Sequence, residues 1–244
     1  MRLLVMNANT TAFVTERAAE AARRLASPGT EIVAATGAFG AAIMASRTEC
    51  AIGEHAAVDL AARHADGIDG VLIAVSYDTG LGALREMLPV PVLGMTEAAL
   101  LAACTLGGSI GLVSFGARVQ PIYRELVARY GLSGRIAAWT NLETTAAYKP
   151  GDTSALDADL AEAACALAGQ GAEVVVLLGA VMAGASFRIE DRVPVPVLDG
   201  IRAGLPMLEA LIRMRPLKAR TGSYAGLTGR ALSGVDPAIA RLIG

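Results

Sequence analysis

One phrase occurs twice in this chain and limits what it can become. Pro89-Val90-Pro91-Val92-Leu93 returns unchanged as Pro194-Val195-Pro196-Val197-Leu198, 105 residues later. An apolar run precedes each copy: Asp69-Gly70-Val71-Leu72-Ile73-Ala74-Val75 in the first case, Ala172-Glu173-Val174-Val175-Val176-Leu177-Leu178-Gly179 in the second. The openings of the halves correspond more weakly, Leu4-Val5-Met6-Asn7-Ala8-Asn9-Thr10 against Leu112-Val113-Ser114-Phe115-Gly116. Self-similarity at a fixed period means one supersecondary unit built twice.

The unit itself is legible. Apolar, β-rich runs fall at Leu3–Met6, Glu31–Ala34, Val71–Val75, Val90–Leu93, Ile110–Val113, Val174–Leu178 and Val195–Leu198. Ala-rich helical patterns such as Thr15–Leu25, Glu54–Ala65 and Asp157–Gly169 separate them. Continuous apolar strands joined by crossover helices imply parallel sheet covered on both faces. The expected fold is α/β: two pseudo-symmetric flavodoxin-like lobes, residues 1–95 and 96–215, with a cleft between them. Segment 216–244 is expected to return over the N-terminal lobe or the cleft. In open parallel sheets ligands sit beyond the carboxyl ends of the strands. That places Asn7–Thr11, Val75–Gly80, Ser114–Gly116 and Gly179–Gly184 around one site.

Composition excludes several classes of function. Apolar residues make up 54% and aromatics only 4%, so the core is aliphatic. The net charge of −2 is spread without a basic run, which argues against nucleic acid as a partner. Mean hydropathy is +0.49, yet the most apolar stretch, Val174–Phe187, is shorter than the ~20 residues a spanning helix needs. The start, Met1-Arg2-Leu3-Leu4-Val5-Met6, reads as a first strand rather than a signal peptide. Cys50, Cys104 and Cys165 are odd in number and show no CxxC spacing, which fits buried thiols in a reducing cytoplasm. His55 and His64 suggest no metal site. The expectation is a cytoplasmic, homo-oligomeric protein with a small-molecule substrate, no metal and no cofactor.

The loop residues resemble a known family. Asn7-Ala8-Asn9-Thr10-Thr11 is similar to the Asn-Pro-Asn-Thr opening of hydantoin and allantoin racemases, within the aspartate/glutamate racemase superfamily. Asp78-Thr79-Gly80-Leu81 with Ala83-Leu84-Arg85-Glu86 resembles their first catalytic loop, and Met182-Ala183-Gly184 their second. Pro196-Val197-Leu198-Asp199-Gly200 and Arg220-Thr221-Gly222-Ser223-Tyr224 also fit, so the likeness spans residues 3–225. It implies a cofactor-independent racemase in which two cysteines flank an acidic carbon. One thiolate takes the proton and the opposite thiol returns one. The positions the resemblance assigns to those cysteines hold Val75 and Gly179, and the three cysteines present read as helix packing residues.

The chemistry left to the loops is polar and uncharged, apart from one acid. Asn7, Asn9, Thr10, Thr11, Thr79 and Ser114 suit recognition of amide, ureide or carboxylate oxygens. Turn amides near Tyr77–Gly80 and Val181–Gly184 can form a nest for an oxyanion or carboxylate. Phe115, Gly179, Ala180, Val181 and Met182 would line the substrate, and Val75 supplies an apolar wall. Asp78 reads as a base or as a helix N-cap. Tyr77 reads as a general acid or an aromatic wall, and Ser76 as a nucleophile or a hydrogen-bonding group. Glu97 and Asp199 read as helix caps or as residues lining the cleft, and Tyr224 as a residue covering the site. The functions this supports are a thiol-free lyase, hydrolase or isomerase on a small cyclic ureide, imide or carboxylate; a racemase with other acid–base groups; or a small-molecule-binding protein.

Overall fold

A computed structural model of the chain describes residues 1–143, 151 and 153–243. Gly244, the end of the C-terminal segment, lies outside the described residues. The first sheet contains β1 (Arg2–Asn7), β2 (Glu31–Thr36), β3 (Gly70–Ile73) and β4 (Val92–Gly94), in the order β2-β1-β3-β4. The second contains β5 (Ile110–Phe115), β6 (Ile136–Leu142), β7 (Val174–Leu177) and β8 (Val197–Asp199), in the order β6-β5-β7-β8. All pairings are parallel, and the order in each sheet is that of a doubly wound flavodoxin-like fold.

Why these residues make these strands is clear at the centre of each sheet. β3 and β7 are buried along their whole length and read Gly-Val-Leu-Ile and Val-Val-Val-Leu, as parallel strands covered on both faces must. β6 does not appear among the strands expected from sequence. It is an edge strand, half-buried, and its run Ile-Ala-Ala-Trp-Thr-Asn-Leu lacks a continuous apolar signal.

Helices α1 (Ala12–Leu25), α2 (Arg47–Arg63) and α3 (Leu81–Met87) cover the first sheet. In the second half α5 (Gln120–Arg129), α6 (Ser154–Gly169) and α7 (Ala185–Ile189) take those places. The helices that follow the last strand of each sheet change sides. α4 (Met95–Leu106) packs on β7 and β8, whereas α8 (Gly200–Met214) packs on β3, β4 and α1. α8 thus covers the first sheet although it follows the last strand of the second, and α4 covers the second although it follows the last strand of the first. The two helices cross at their N-termini, where a Cβ on Gly200 would stand 2.6 Å from the Met95 Cβ. After α8 the chain crosses to α9 (Pro237–Ile243), which packs on α2 and is held by Arg63–Asp236 and Arg241–Asp66 ion pairs. No helix among the described residues is long and apolar enough to cross a membrane.

Candidate active site

The site is built from two equivalent turns. After β3 the chain makes a tight turn in which the Asp78 N–H donates to the Val75 carbonyl at 2.8 Å. Asp78 holds φ +50° and Gly80 φ +82°. After β7 the Met182 N–H donates to the Gly179 carbonyl at 2.9 Å, with Gly179 at φ +146° and Gly184 at φ +77°. Val75 corresponds to Gly179 and Asp78 to Met182.

Both turns open on one cavity of about 80 Å³ between the lobes, lined by Val75, Ser76 and Tyr77 on one side and Gly179, Ala180 and Val181 on the other. Asn9 and Phe115 complete it from the ends of β1 and β5. Val14, Val119, Tyr123 and Leu178 also reach it, as do Ile43, Met44 and Ala45. No charged side chain lines this cavity among the described residues.

Its polar groups are mostly donors. The Asn7 side chain is fully buried and works as scaffold: its Nδ2 donates to Asn9 Oδ1 at 2.8 Å and to Thr15 Oγ1 at 3.1 Å. Asn9 Oδ1 also accepts the Thr11 N–H at 2.9 Å, which fixes the amide so that Nδ2 is the group left for a ligand. Tyr123 Oη donates to Ser76 Oγ at 2.7 Å, and the Thr96 hydroxyl donates to the Ser76 carbonyl at 2.6 Å. Ser76 Oγ thus accepts from Tyr123, and its own proton has only a long contact within the protein, to Thr96 Oγ1 at 3.4 Å, from which it can turn to a ligand. The amides of Ser76, Ala180 and Val181 have no acceptor among the described residues. Tyr77, Tyr123 and Trp139 form an aromatic cluster, with ring centroids 4.7 Å and 6.2 Å apart.

A lid missed in the sequence closes the top. It is the connection from β2 to α2, and it carries Ile43, Met44 and Ala45 over the cavity. Thr10 and Thr11 hold it rather than line the cavity: the Thr10 N–H donates to the Ala41 carbonyl at 3.1 Å and Thr11 Oγ1 to the Ala42 carbonyl at 2.6 Å. Thr79 is buried beneath the lid, its hydroxyl 3.7 Å from Met44 Sδ. The available signal was the presence of Phe39, Ile43 and Met44 in a connection that joins neither a strand nor a helix pattern.

Other expected site residues point elsewhere. Ser114 is fully buried, donates to Asn141 Oδ1 at 2.6 Å and accepts from Trp139 Nε1 at 2.9 Å. Met182 is fully buried behind its turn. Tyr224 is half exposed on a separate groove of about 600 Å³ that also takes in Cys50, Asp78, Arg85, Glu97 and Tyr130. Tyr77 borders both spaces.

Asp78 faces that groove rather than the cavity, and its carboxylate caps α4 from a distance. Oδ1 accepts the Thr96 N–H at 3.0 Å; Oδ2 accepts the Glu97 N–H at 2.8 Å and the Tyr130 hydroxyl at 2.6 Å. Burial pushes this carboxyl up to about 7, against the pull of those three donors. Asp199 does cap its own helix, accepting from Ile201 and Arg202, and it also takes the Gly184 N–H and the Ser186 hydroxyl. Glu97 caps nothing and instead pairs with Arg85 across α3 and α4.

The cysteines sit on helices away from the cavity. Cys50 is half-buried on α2, where burial and the neighbouring Glu49 and Glu54 push its thiol up to about 11. Cys104 is half-buried on α4, and Cys165 is exposed on α6, so it is not a packing residue. No group of three or more His, Cys, Asp or Glu among the described residues is placed to hold a metal ion.

Twin parallel lobes with strand-to-helix turns facing one cleft define a two-lobed α/β protein with a cavity at the lobe boundary. Residues 3–208 match the model of the Asp/Glu/Hydantoin racemase family, and the chain belongs to that family. It is 30% identical to a hydantoin racemase of Paenarthrobacter aurescens over 228 residues, 92% of this chain and 96% of the relative. Among solved structures it resembles an allantoin racemase from Klebsiella pneumoniae, with TM-score 0.90 and 30% identity over 98% of both chains. An allantoin racemase from Pseudomonas fluorescens gives TM-score 0.88 and 34% identity, covering 96% of this chain and 100% of that one.

Proposed function

We propose that this protein is an enzyme that exchanges a proton on a small, uncharged cyclic ureide or imide, at a carbon acidified by a neighbouring carbonyl, without thiols. The observation that carries this reading is the make-up of the cavity. Val75 and Gly179 face it from opposite lobes where the family resemblance assigns cysteines; Ser76 and Tyr77 bring hydroxyls beside Val75, the Tyr123 hydroxyl is tied to Ser76, and the Gly179-Ala180-Val181 turn carries none. A carboxylate substrate would be buried there without a cation, at a cost of several kcal/mol. Ring carbonyls instead find donors: Asn9 Nδ2, Ser76 Oγ, and the Ser76, Ala180 and Val181 amides.

When the carbon loses its proton, negative charge moves to a ring oxygen. Fixed donors at that oxygen lower the barrier because they need no reorganisation. Tyr123, donating into Ser76, strengthens Ser76 as one of those donors. Tyr77 is the group assigned to carry the proton between substrate and the outer groove, since it borders both spaces. Gly179 offers nothing on the opposite face, so the proton leaves and returns on one side.

The test is a single enantiomer of a 5-substituted hydantoin in deuterated water, followed by proton NMR and optical rotation. The expected result is loss of the carbon-bound proton signal with rotation retained, and a drop of about tenfold or more in Tyr77→Phe. Rotation decaying as fast as exchange would restore two-sided racemisation by other groups. New product signals would make the protein a lyase or hydrolase, and exchange no faster than in buffer would remove the reading.

A further inference from the structure

The two turns are braced by different means, and the difference points to a residue outside the cavity. In the first lobe Asp78, within the turn, ties it down to the α4 N-terminus and to Tyr130. In the second lobe the corresponding residue is Met182, whose side chain makes no such bond. Asp199 holds only the far end of that turn, at the Gly184 N–H, 3.1 Å away. The middle of the turn is held from the other lobe: Arg17 on α1 donates from its guanidinium to the Val181 carbonyl at 2.7 Å.

We infer that Arg17 is a positioning residue that sets the second-lobe turn from the first lobe, so that the Ala180 and Val181 amides are presented to the ligand. That the turn binds a ligand oxygen rests on the proposed function; that Arg17 shapes the turn does not. The Val181 carbonyl belongs to the same peptide unit as the Met182 N–H, which donates to Gly179. One planar unit is therefore fixed at both ends, by Arg17 on its carbonyl and by Gly179 on its N–H. Release of the carbonyl lets this peptide unit rotate, and the neighbouring amides move with it. The Arg17 side chain is half-buried, beside the Phe13 ring at 5.5 Å from its centroid, and close to Arg188, which is paired with Asp157 through bonds of 2.7 and 2.9 Å. The bulk of Arg17 also packs, so removing it has to be separated from removing its hydrogen bond.

The experiment compares Arg17→Met, Arg17→Gln and Arg17→Lys with the parent chain by nitrogen-15 NMR. Amide exchange is read at Met182 and Ala183, with the hydrogen-bonded Asp78 and Leu81 amides of the first turn as the internal control. In Arg17→Met and Arg17→Gln, exchange at Met182 is expected to quicken by about tenfold with the control turn unchanged, since local opening is reported residue by residue. Arg17→Lys, which keeps one donor, is expected to recover part of the protection. Hydantoin itself, titrated as the probe, is expected to bind about tenfold more weakly to the Met variant, because the turn amides must then be ordered on binding. Unchanged exchange at Met182 and Ala183, or equal acceleration in both turns, would overturn the inference. If the parent chain binds no hydantoin, the proposed function fails while the exchange comparison still decides the role of Arg17.

Discussion

At the scale of single residues, burial and backbone angle decide what each group does. Asp78 is the clearest instance: a carboxyl on the turn that faces the cleft, and yet turned away from the cavity to cap a helix 18 residues along the chain. In lobe two the carboxylate that caps the equivalent helix comes from Asp199, at the end of the strand itself. The position corresponding to Asp199 in lobe one is Gly94, and the Asp78 carboxyl fills the space a side chain there would occupy. The acid has exchanged places between the two copies. Its titration has a consequence for stability. The folded value of about 7 lies above the unfolded value of about 4, so between those limits the folded state holds the extra proton. Stability supplied by this group is full below pH ~4, falls as pH rises towards 7, and is level above, with a slope of at most about 1.4 kcal/mol per pH unit. Urea midpoints measured from pH 4 to pH 8 should flatten over that window in Asp78→Asn; the same slope in both proteins would remove Asp78 as its source. The sequence pointed to the turns because polar residues after apolar strands stand out. It did not reveal Tyr123, which reaches the cavity from a helix 47 residues beyond Ser76, since a lone tyrosine on a helix has no local signature.

At the scale of elements, two glycines show how the same residue type serves separate ends. Gly179 has room for a Cβ, whose nearest neighbours would be 3.4 to 3.8 Å away, but its φ of +146° suits few other residues. Gly200 begins α8 in a spot where a Cβ would meet Met95 at 2.6 Å. Gly179→Ala should therefore cost about 1–3 kcal/mol through backbone strain. Gly200→Ala should cost about 1–3 kcal/mol through overpacking, in spite of alanine's better helix propensity. Removing the Met95 Cβ separates the two: Gly200→Ala should cost less in a Met95→Gly background, where the side-chain atoms it meets at 2.6 Å are gone, than in the parent chain, whereas the cost of Gly179→Ala should be the same in both. Chemical denaturation of the set checks both, and equal responses would refute the division. The repeat made the two sheets and their central strands legible because buried parallel strands write continuous apolar runs. It was silent on β6, whose half-buried face carries no such run. It was equally silent on the destination of α8, since a helix written after a strand looks the same whichever sheet it goes on to cover.

At the scale of the whole molecule, the exchange of α4 and α8 binds the lobes into one unit. The largest apolar cluster draws Leu3, Leu72 and Val14 from the first lobe together with Val113, Leu160 and Val175 from the second. α8 is also pinned to the first lobe by Glu209, nearly fully buried, which accepts from the Ser27 N–H at 3.0 Å and the Thr30 hydroxyl at 2.7 Å and pairs with Arg213 at 2.9 Å. Neither lobe can bury its sheet without a helix that the chain reaches only after the last strand, β4 or β8, so the lobes should unfold together. A single tryptophan makes this measurable. Trp139 lies on β6 in the second lobe, so its fluorescence reports that lobe alone, while far-ultraviolet circular dichroism reports both. Thermal transitions by the two probes should coincide in the parent chain. Glu209→Ala, made in the first-lobe contact, removes hydrogen bonds worth about 1–3 kcal/mol and should lower both transitions by the same amount. A Trp139 transition that stays in place while the dichroism shifts would mean that the lobes melt independently. The closed cavity between them would then depend on the ligand, rather than on the interlocked helices, to hold its two turns face to face.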